Sequence, residues 1–245
     1  MRTAILGIVV LCVMLLVRGA RAEERRDGSD YVVVVHGMGR THRSMTRIVK
    51  GLREAGYEPI NWRYSSLRDP VETHVERLDA CIDEHCTNGA RQVHFVTHSL
   101  GGLIVRAYLK DNPGTNVGRV VMMAPPNQGS RLADITRKLR FSEFFTRKVG
   151  MQLGTGDRDL PKRLGPVEFE LGVIAGDRSL NPLYSLLEPG KDDGKVAVEK
   201  AKVAGMRDFL VVHSTHTFMI QRKYVIDQIL HFLNRGKFVG RRPAQ

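Results

Sequence analysis

The chain has 245 residues, 42% of them hydrophobic and 26% charged, with a formal net charge of +12. That length and apolar content suffice for one sizeable core in a single α/β domain, and with no repeat or low-complexity tract in the sequence, solenoids and long disordered tails are excluded. The basic residues are scattered rather than clustered with aromatics, which argues against nucleic acid and favours contact with anionic surfaces such as lipid headgroups or cell-envelope polymers.

The first 22 residues read as a cleaved secretory signal peptide. Arg2 supplies a basic start, residues 4–17 form an uninterrupted apolar run of 14, and Ala20-Arg21-Ala22 matches an A-x-A cleavage signal. A membrane-spanning helix needs about 20 apolar residues. Export to the periplasm, the cell envelope or the medium is therefore expected, with an uncleaved membrane anchor as the alternative. Loss of Arg2, Arg18 and Arg21 leaves about +9 on the mature chain, residues 23–245.

In the mature chain, "YVVVVHGMG" begins with a β-branched run typical of a strand buried on both faces. "SMTRIVKGLREAG" follows with Met45, Ile48, Val49 and Leu52 at helical spacing, then "YEPINWRYS" as a weaker strand interrupted by Pro59. "DPVETHVERLDACIDEHC" predicts a helix with Asp69 as its cap and Pro70 in its first turn. Near its end lie Cys81 and Cys86, the cysteines left once Cys12 departs with the leader. They either bridge, which requires the last turn to unwind, or remain free thiols; with His85 they make a poor zinc pattern.

"RQVHFVTHS" is the next strand and "LGGLIVRAYLKDN" the next helix, stopping at Pro113. "VGRVVMMAPP", "FELGVIAGD" and "DFLVVHSTH" are three further strands, and "RKYVIDQILHFLNRG" is a closing amphipathic helix ending at Gly236. Such alternation predicts βαβ units, hence a mostly parallel sheet with helices on both faces. Residues 127–166 break the alternation with mixed helical and Gly/Pro-rich sequence. Carrying Phe141, Phe144, Phe145, Met151 and Leu153 among many cations, this stretch is expected to be a helical cap or lid insertion.

A nucleophile is suggested by "VTHSLGG", residues 96–102. Between a strand and a helix, Ser99 would occupy the tight turn of a nucleophile elbow, a variant of G-x-S-x-G with Thr97 at the first glycine position and Gly101 at the second. A serine hydroxyl needs a general base. His216, after the last strand and before the final helix, is the expected base, with His213 as the alternative. The acid that orients it is expected at Asp193, in the turn "KDDG", with Asp192 and Asp177 as alternatives. An oxyanion hole needs two backbone N–H groups. Leu100 supplies one, and Met38, in the loop His36-Gly37-Met38-Gly39 whose glycines let the backbone approach substrate, supplies the other.

Taken together, "VVVVHGMG", "FVTHSLGG", "RVVMMAPPNQGS", "DDGKVAV" and "STHTF" resemble small lipase/esterase-type α/β hydrolases over residues 31–238. The resemblance implies an α/β-hydrolase fold with an eight-stranded type of core. It also implies no organic cofactor, and acyl-ester hydrolysis through a covalent acyl-serine. It places nucleophile, acid and base at Ser99, Asp193 and His216.

The function expected is an exported serine hydrolase of carboxylic esters with a lipid or acyl substrate. An acyltransferase or thioesterase on the same triad is one alternative, and a non-catalytic binding module that keeps the fold is another. With no H-E-x-x-H motif and nine dispersed histidines, no metal and no cofactor are expected.

Overall fold

Four consecutive valines determine how the first strand sits. Side chains alternate across a strand, so a run with no polar position must be covered on both faces. In a computed structural model of the protein, which describes residues 29–88, 91–114, 116–139, 150–188 and 190–240, this is what β1 (Tyr31–Val35) does. Val32 and Val34 enter one apolar cluster, Val33 and Val35 the other, and all four are fully buried. Each contributes roughly 1.5–3 kcal/mol of transfer free energy.

The remaining strands are β2 (Glu58–Asn61), β3 (Val93–His98), β4 (Val117–Met123), β5 (Leu171–Gly176) and β6 (Asp208–Val212). They form one sheet in the order β2-β1-β3-β4-β5-β6, every pairing parallel. Six strands are thus described where the eight-stranded type of core was expected. Pro59 lies in the edge strand β2, where its missing N–H is tolerated.

Helices cover both faces, as the alternating pattern predicts. On one side α1 (Thr46–Glu54) and the final helix α8 (Lys223–Arg235) pack Ile48, Leu52, Ile229 and Phe232 against Val32 and Val34. On the other, α2 (Val71–His85) and α3 (Leu100–Asp111) pack Leu78, Leu103 and Ile104 against Val33 and Val35. Helix α8 ends as its sequence requires: Gly236 adopts φ 68° and its N–H donates to Phe232 O at 2.8 Å.

The start of α2 differs from expectation. Pro70, not Asp69, is the N-cap, and the first helical N–H, that of Val71, donates to Gln152 Oε1 at 2.9 Å. Asp69 instead pairs with Arg77 at 2.6 Å. Cys81 and Cys86 are free thiols.

The returning half of the 127–166 insertion is stitched to the body. After α4 (Arg131–Leu139) and a 3₁₀ turn at Gly150–Gln152, α5 (Leu160–Leu164) sends Leu160 and Leu164 into the core beside α3. Leu153, expected in the cap, is buried in that same core. Arg137 reaches from α4 to Asp159 at 2.8 Å, and Thr155 Oγ1 donates to Asp134 at 2.7 Å. Phe141, Phe144 and Phe145, like the leader at residues 1–22, lie outside the described residues. Two short helices, α6 (Pro182–Leu187) and α7 (Val198–Ala201), complete the path between β5 and β6.

Candidate active site

From β1 the chain moves outward to β2, then crosses back to begin β3 and continues to β6. The direction of winding therefore reverses between β1 and β3, and a crevice opens there beyond their carboxyl ends, the usual ligand position in such sheets. The loop His36–Gly39 leaves β1 at this point, and Ser99 leaves β3.

Ser99 has φ 54° and ψ −121°, the backbone of the first central residue of a type II′ turn, where glycine dominates. Its N–H donates to Met123 O at 2.8 Å, and its carbonyl accepts from Gly102 N–H at 3.0 Å. A serine held here by bonds on both sides is a sharp strand-to-helix elbow. Close approach explains the neighbouring glycines. A Cβ at Gly101 would lie 2.6 Å from Val35 O and 3.0 Å from His36 O. A Cβ at Gly102 would lie 3.0 Å from Pro125 Cβ and 3.4 Å from Thr97 Oγ1. Thr97, fully buried in β3, thus fits where the usual pattern has glycine because Gly102 leaves it room.

Asp193 and His216 are brought together. Asp193 Oδ2 accepts from His216 Nδ1 at 2.8 Å, and Asp193 O accepts from the His216 backbone N–H at 2.9 Å. Both residues are buried. The other carboxylate oxygen, Oδ1, accepts from the backbone N–H groups of Lys195 at 3.0 Å and Val196 at 2.8 Å. Three donors on one carboxylate fix its rotation. Gly176 makes the fit possible, since a Cβ there would meet Asp193 Cβ at 2.8 Å.

The alternatives are engaged elsewhere. Asp192 caps its own turn, accepting from Gly194 N–H at 2.6 Å and Ser185 Oγ at 2.7 Å. Asp177 and His213 pair with each other at 3.0 Å, the histidine largely exposed.

His98 joins the elbow to the histidine loop. Its Nε2–H donates to His216 O at 3.0 Å, and the two imidazoles lie 4.7 Å apart, centroid to centroid. Burial, and after it the neighbouring His216, holds the His98 imidazole well below its ordinary value, so it is neutral, with the proton on Nε2. The sequence places this residue beside Ser99 but gives no signal of the bond, which spans 118 positions.

Two struts from the β2–α2 connection hold the loop after β1. Tyr64 Oη donates to His36 O at 2.6 Å, and Gly39 N–H donates to Ser66 Oγ at 3.0 Å. His36, Tyr64 and Trp62 stack in turn, with centroids 4.2 and 4.3 Å apart. Among the described residues, neither the Met38 nor the Leu100 backbone N–H has an acceptor within the protein. Ser99 Oγ likewise has no hydrogen-bonded partner among them. The described residues contain no cluster of three histidine, cysteine or carboxylate side chains that could hold a metal. A cavity of about 930 Å³ lies at the opposite end of the sheet, lined by Arg106, Lys110, Arg119 and Glu170, and Ser99 is not part of its wall.

Several solved structures share this architecture. The mature lipase BlEst2 of Bacillus licheniformis superposes with a TM-score of 0.70 at 18% identity, over 86% of this chain and 94% of that one. Phospholipase PlaB of Legionella pneumophila gives 0.66 at 18% identity, over 86% of this chain and 60% of its own length. The monoacylglycerol lipase of Paleococcus ferrophilus gives 0.57 at 16% identity, over 85% and 96%. At such identities the likeness establishes the α/β-hydrolase fold alone. No curated protein sequence matches. The family description "Palmitoyl protein thioesterase" matches residues 31–153, from β1 through the elbow to Leu153 and so half of the sequence: the chain belongs to the palmitoyl protein thioesterase family.

Proposed function

We propose that this protein is an exported serine hydrolase that cleaves acyl esters through an acyl-serine intermediate. The observation that carries the reading is the buried Asp193–His216 pair, tied through His98 to a strained serine elbow at the sheet's switch point. Ser99 Oγ attacks the acyl carbonyl while its proton passes to His216 Nε2. Asp193, acceptor at Nδ1, keeps the proton of the resting imidazole on that nitrogen and stabilises the imidazolium. Negative charge developing on the carbonyl oxygen meets the N–H groups of Met38 and Leu100. Collapse expels the leaving group with the proton from His216, and water, activated by the same imidazole, releases the acid and restores Ser99. No hydrogen bond joins Ser99 to His216 in the substrate-free geometry, a contact that commonly tightens only once substrate binds. Supporting roles fall to His36 and Gly37, which shape the loop, and to Gly101, which allows the helix to approach it. The insertion at 127–166 is the proposed cap, and the leader-like residues 1–22 support export.

Hydrolysis of p-nitrophenyl esters from acetate to palmitate by the parent and by Ser99→Ala tests this. Loss of Ser99 lowers kcat by about 10⁴-fold or more; equal rates from two folded proteins contradict the assignment. Family membership favours a second reading within the same chemistry, in which the scissile bond is a thioester. Competition between an S-acyl and an O-acyl peptide of the same chain length decides between them by the ratio of kcat/KM.

A further inference from the structure

Two cations flank the elbow. Arg40 follows the loop that carries Met38, and its Nη2 donates to Thr217 Oγ1, next to His216, at 2.9 Å. A guanidinium has five N–H donors. Among the described residues the other four have no acceptor, and no carboxylate pairs with Arg40. Lys195 follows Asp193-Gly194. Its backbone N–H is bonded to Asp193 Oδ1, while its Nζ has neither hydrogen bond nor ion pair among the described residues.

Each cation sits beside a member of the Asp193–His216 pair: Arg40 through its bond to Thr217, the residue after His216, and Lys195 two residues on from Asp193. Partial desolvation, and then the charge of Arg40, lowers the Lys195 ammonium from its ordinary value. Both cations also bear on the buried His98 imidazole. The neighbouring carboxylates are committed elsewhere: Asp193 to His216, Asp192 to Gly194 and Ser185, Asp177 to His213 and Lys191. Moreover, residues 31–53 include Arg40, Arg43, Arg47, Lys50 and Arg53 but no aspartate or glutamate.

We infer that Arg40 and Lys195 bind a phosphate group carried by the leaving-alcohol side of the substrate. The side follows from the mechanism. His216 returns its proton to the leaving oxygen, and Arg40 is anchored on Thr217, the residue beside that base. A forked guanidinium together with a mobile ammonium suits a phosphate's several oxygens. The inference rests on the hydrolase reading above and gives its substrate class: acyl esters of a phosphorylated alcohol, whether soluble or the headgroup of a lipid.

The test compares 1-butyrylglycerol with 1-butyrylglycerol 3-phosphate, both monomeric in solution, and dioleoylglycerol with dioleoylphosphatidate in neutral detergent micelles. The wild-type protein is expected to show kcat/KM about tenfold or more higher for the phosphorylated ester in both pairs, as charge-assisted hydrogen bonds of this kind imply. Arg40→Gln, Lys195→Gln and the double variant are read as the ratio of the two substrates, so a general loss of activity cancels. The ratio falls with each change and reaches about one in the double variant. Glycerol 3-phosphate, but not glycerol, competes with the neutral ester on the wild type, which tests the site without any variant. A ratio near one in the wild type, or a preference that survives in the double variant, overturns the inference. So does a preference confined to micelles, which places the anion at the lipid surface and not at Arg40 and Lys195. No hydrolysis of either ester of a pair removes the hydrolase reading itself, and this inference with it.

Discussion

The elbow's backbone predicts that the protein becomes more stable when Ser99, the proposed nucleophile, is replaced in one particular way. At φ 54° and ψ −121°, Ser99 carries a Cβ in a conformation that only glycine adopts without strain. Holding a non-glycine residue in such a region costs about 1–3 kcal/mol. Glycine there removes that strain but adds about 0.5–1 kcal/mol of chain entropy to be lost on folding. The net gain for Ser99→Gly is therefore about 1 kcal/mol at mid-range and at most about 2.5 kcal/mol, a mid-range shift of roughly 2–4 °C in Tm for a domain of this size. Ser99→Ala keeps the Cβ and gains nothing by this route. Differential scanning calorimetry of the parent and both variants, with urea midpoints alongside, measures the contrast, and both variants are expected to be inactive. Equal stabilities for Ser99→Gly and Ser99→Ala would refute the claim that strain is stored at this residue.

Gly101→Ala puts a methyl group 2.6 Å from Val35 O and 3.0 Å from His36 O, backbone atoms that cannot rotate away. It is expected to cost about 1–3 kcal/mol in urea unfolding and to lower kcat by shifting the loop that carries Met38; a change within about 0.5 kcal/mol would contradict the packing. Tyr64→Phe deletes the hydroxyl that donates to His36 O. The loss of about 1 kcal/mol should appear as a several-fold fall in kcat with KM little changed, and an unaltered kcat would make this strut merely structural. His36, His74, His94 and His98 are all held below the ordinary histidine value, in each case chiefly by burial. The unfolded chain therefore binds more protons in mild acid. Their stabilising contribution is full above about pH 6.5 and is lost as the pH falls below it. Urea midpoints should drop between pH 7.5 and 5, and a flat profile would show that these rings do not remain neutral in the fold.

Much of this architecture is legible in the sequence because the signals are local. Val32–Val35 can be satisfied only by a strand covered on both faces, and Gly236 could only end a helix. The chain order of Ser99, Asp193 and His216 is equally visible, and the structure brings the last two into a 2.8 Å contact. What the sequence does not display is which polar groups meet across long loops. Asp69 has the composition of a cap, yet the helix's first N–H, that of Val71, goes to Gln152, 81 positions beyond Val71. Three aspartates and two histidines were candidates around the same strand ends. Only the direction of each side chain separates the buried pair from the surface pair Asp177–His213. Tyr64, Ser66 and His98 escaped for the same reason, since their bonds to the loop and to His216 join segments with no shared periodicity. Thr97 looked like a departure from the elbow pattern, and the compensating space lies five residues on, at Gly102.

The central claim is that Ser99 becomes acylated with Asp193 and His216 behind it. Its most direct test is labelling of the folded protein with a fluorophosphonate, followed by peptide mass spectrometry. The account predicts a single adduct on Ser99, strongly slowed by His216→Ala and abolished by Ser99→Ala. An adduct on another residue, or ester hydrolysis that persists while Ser99 stays unmodified, would contradict it.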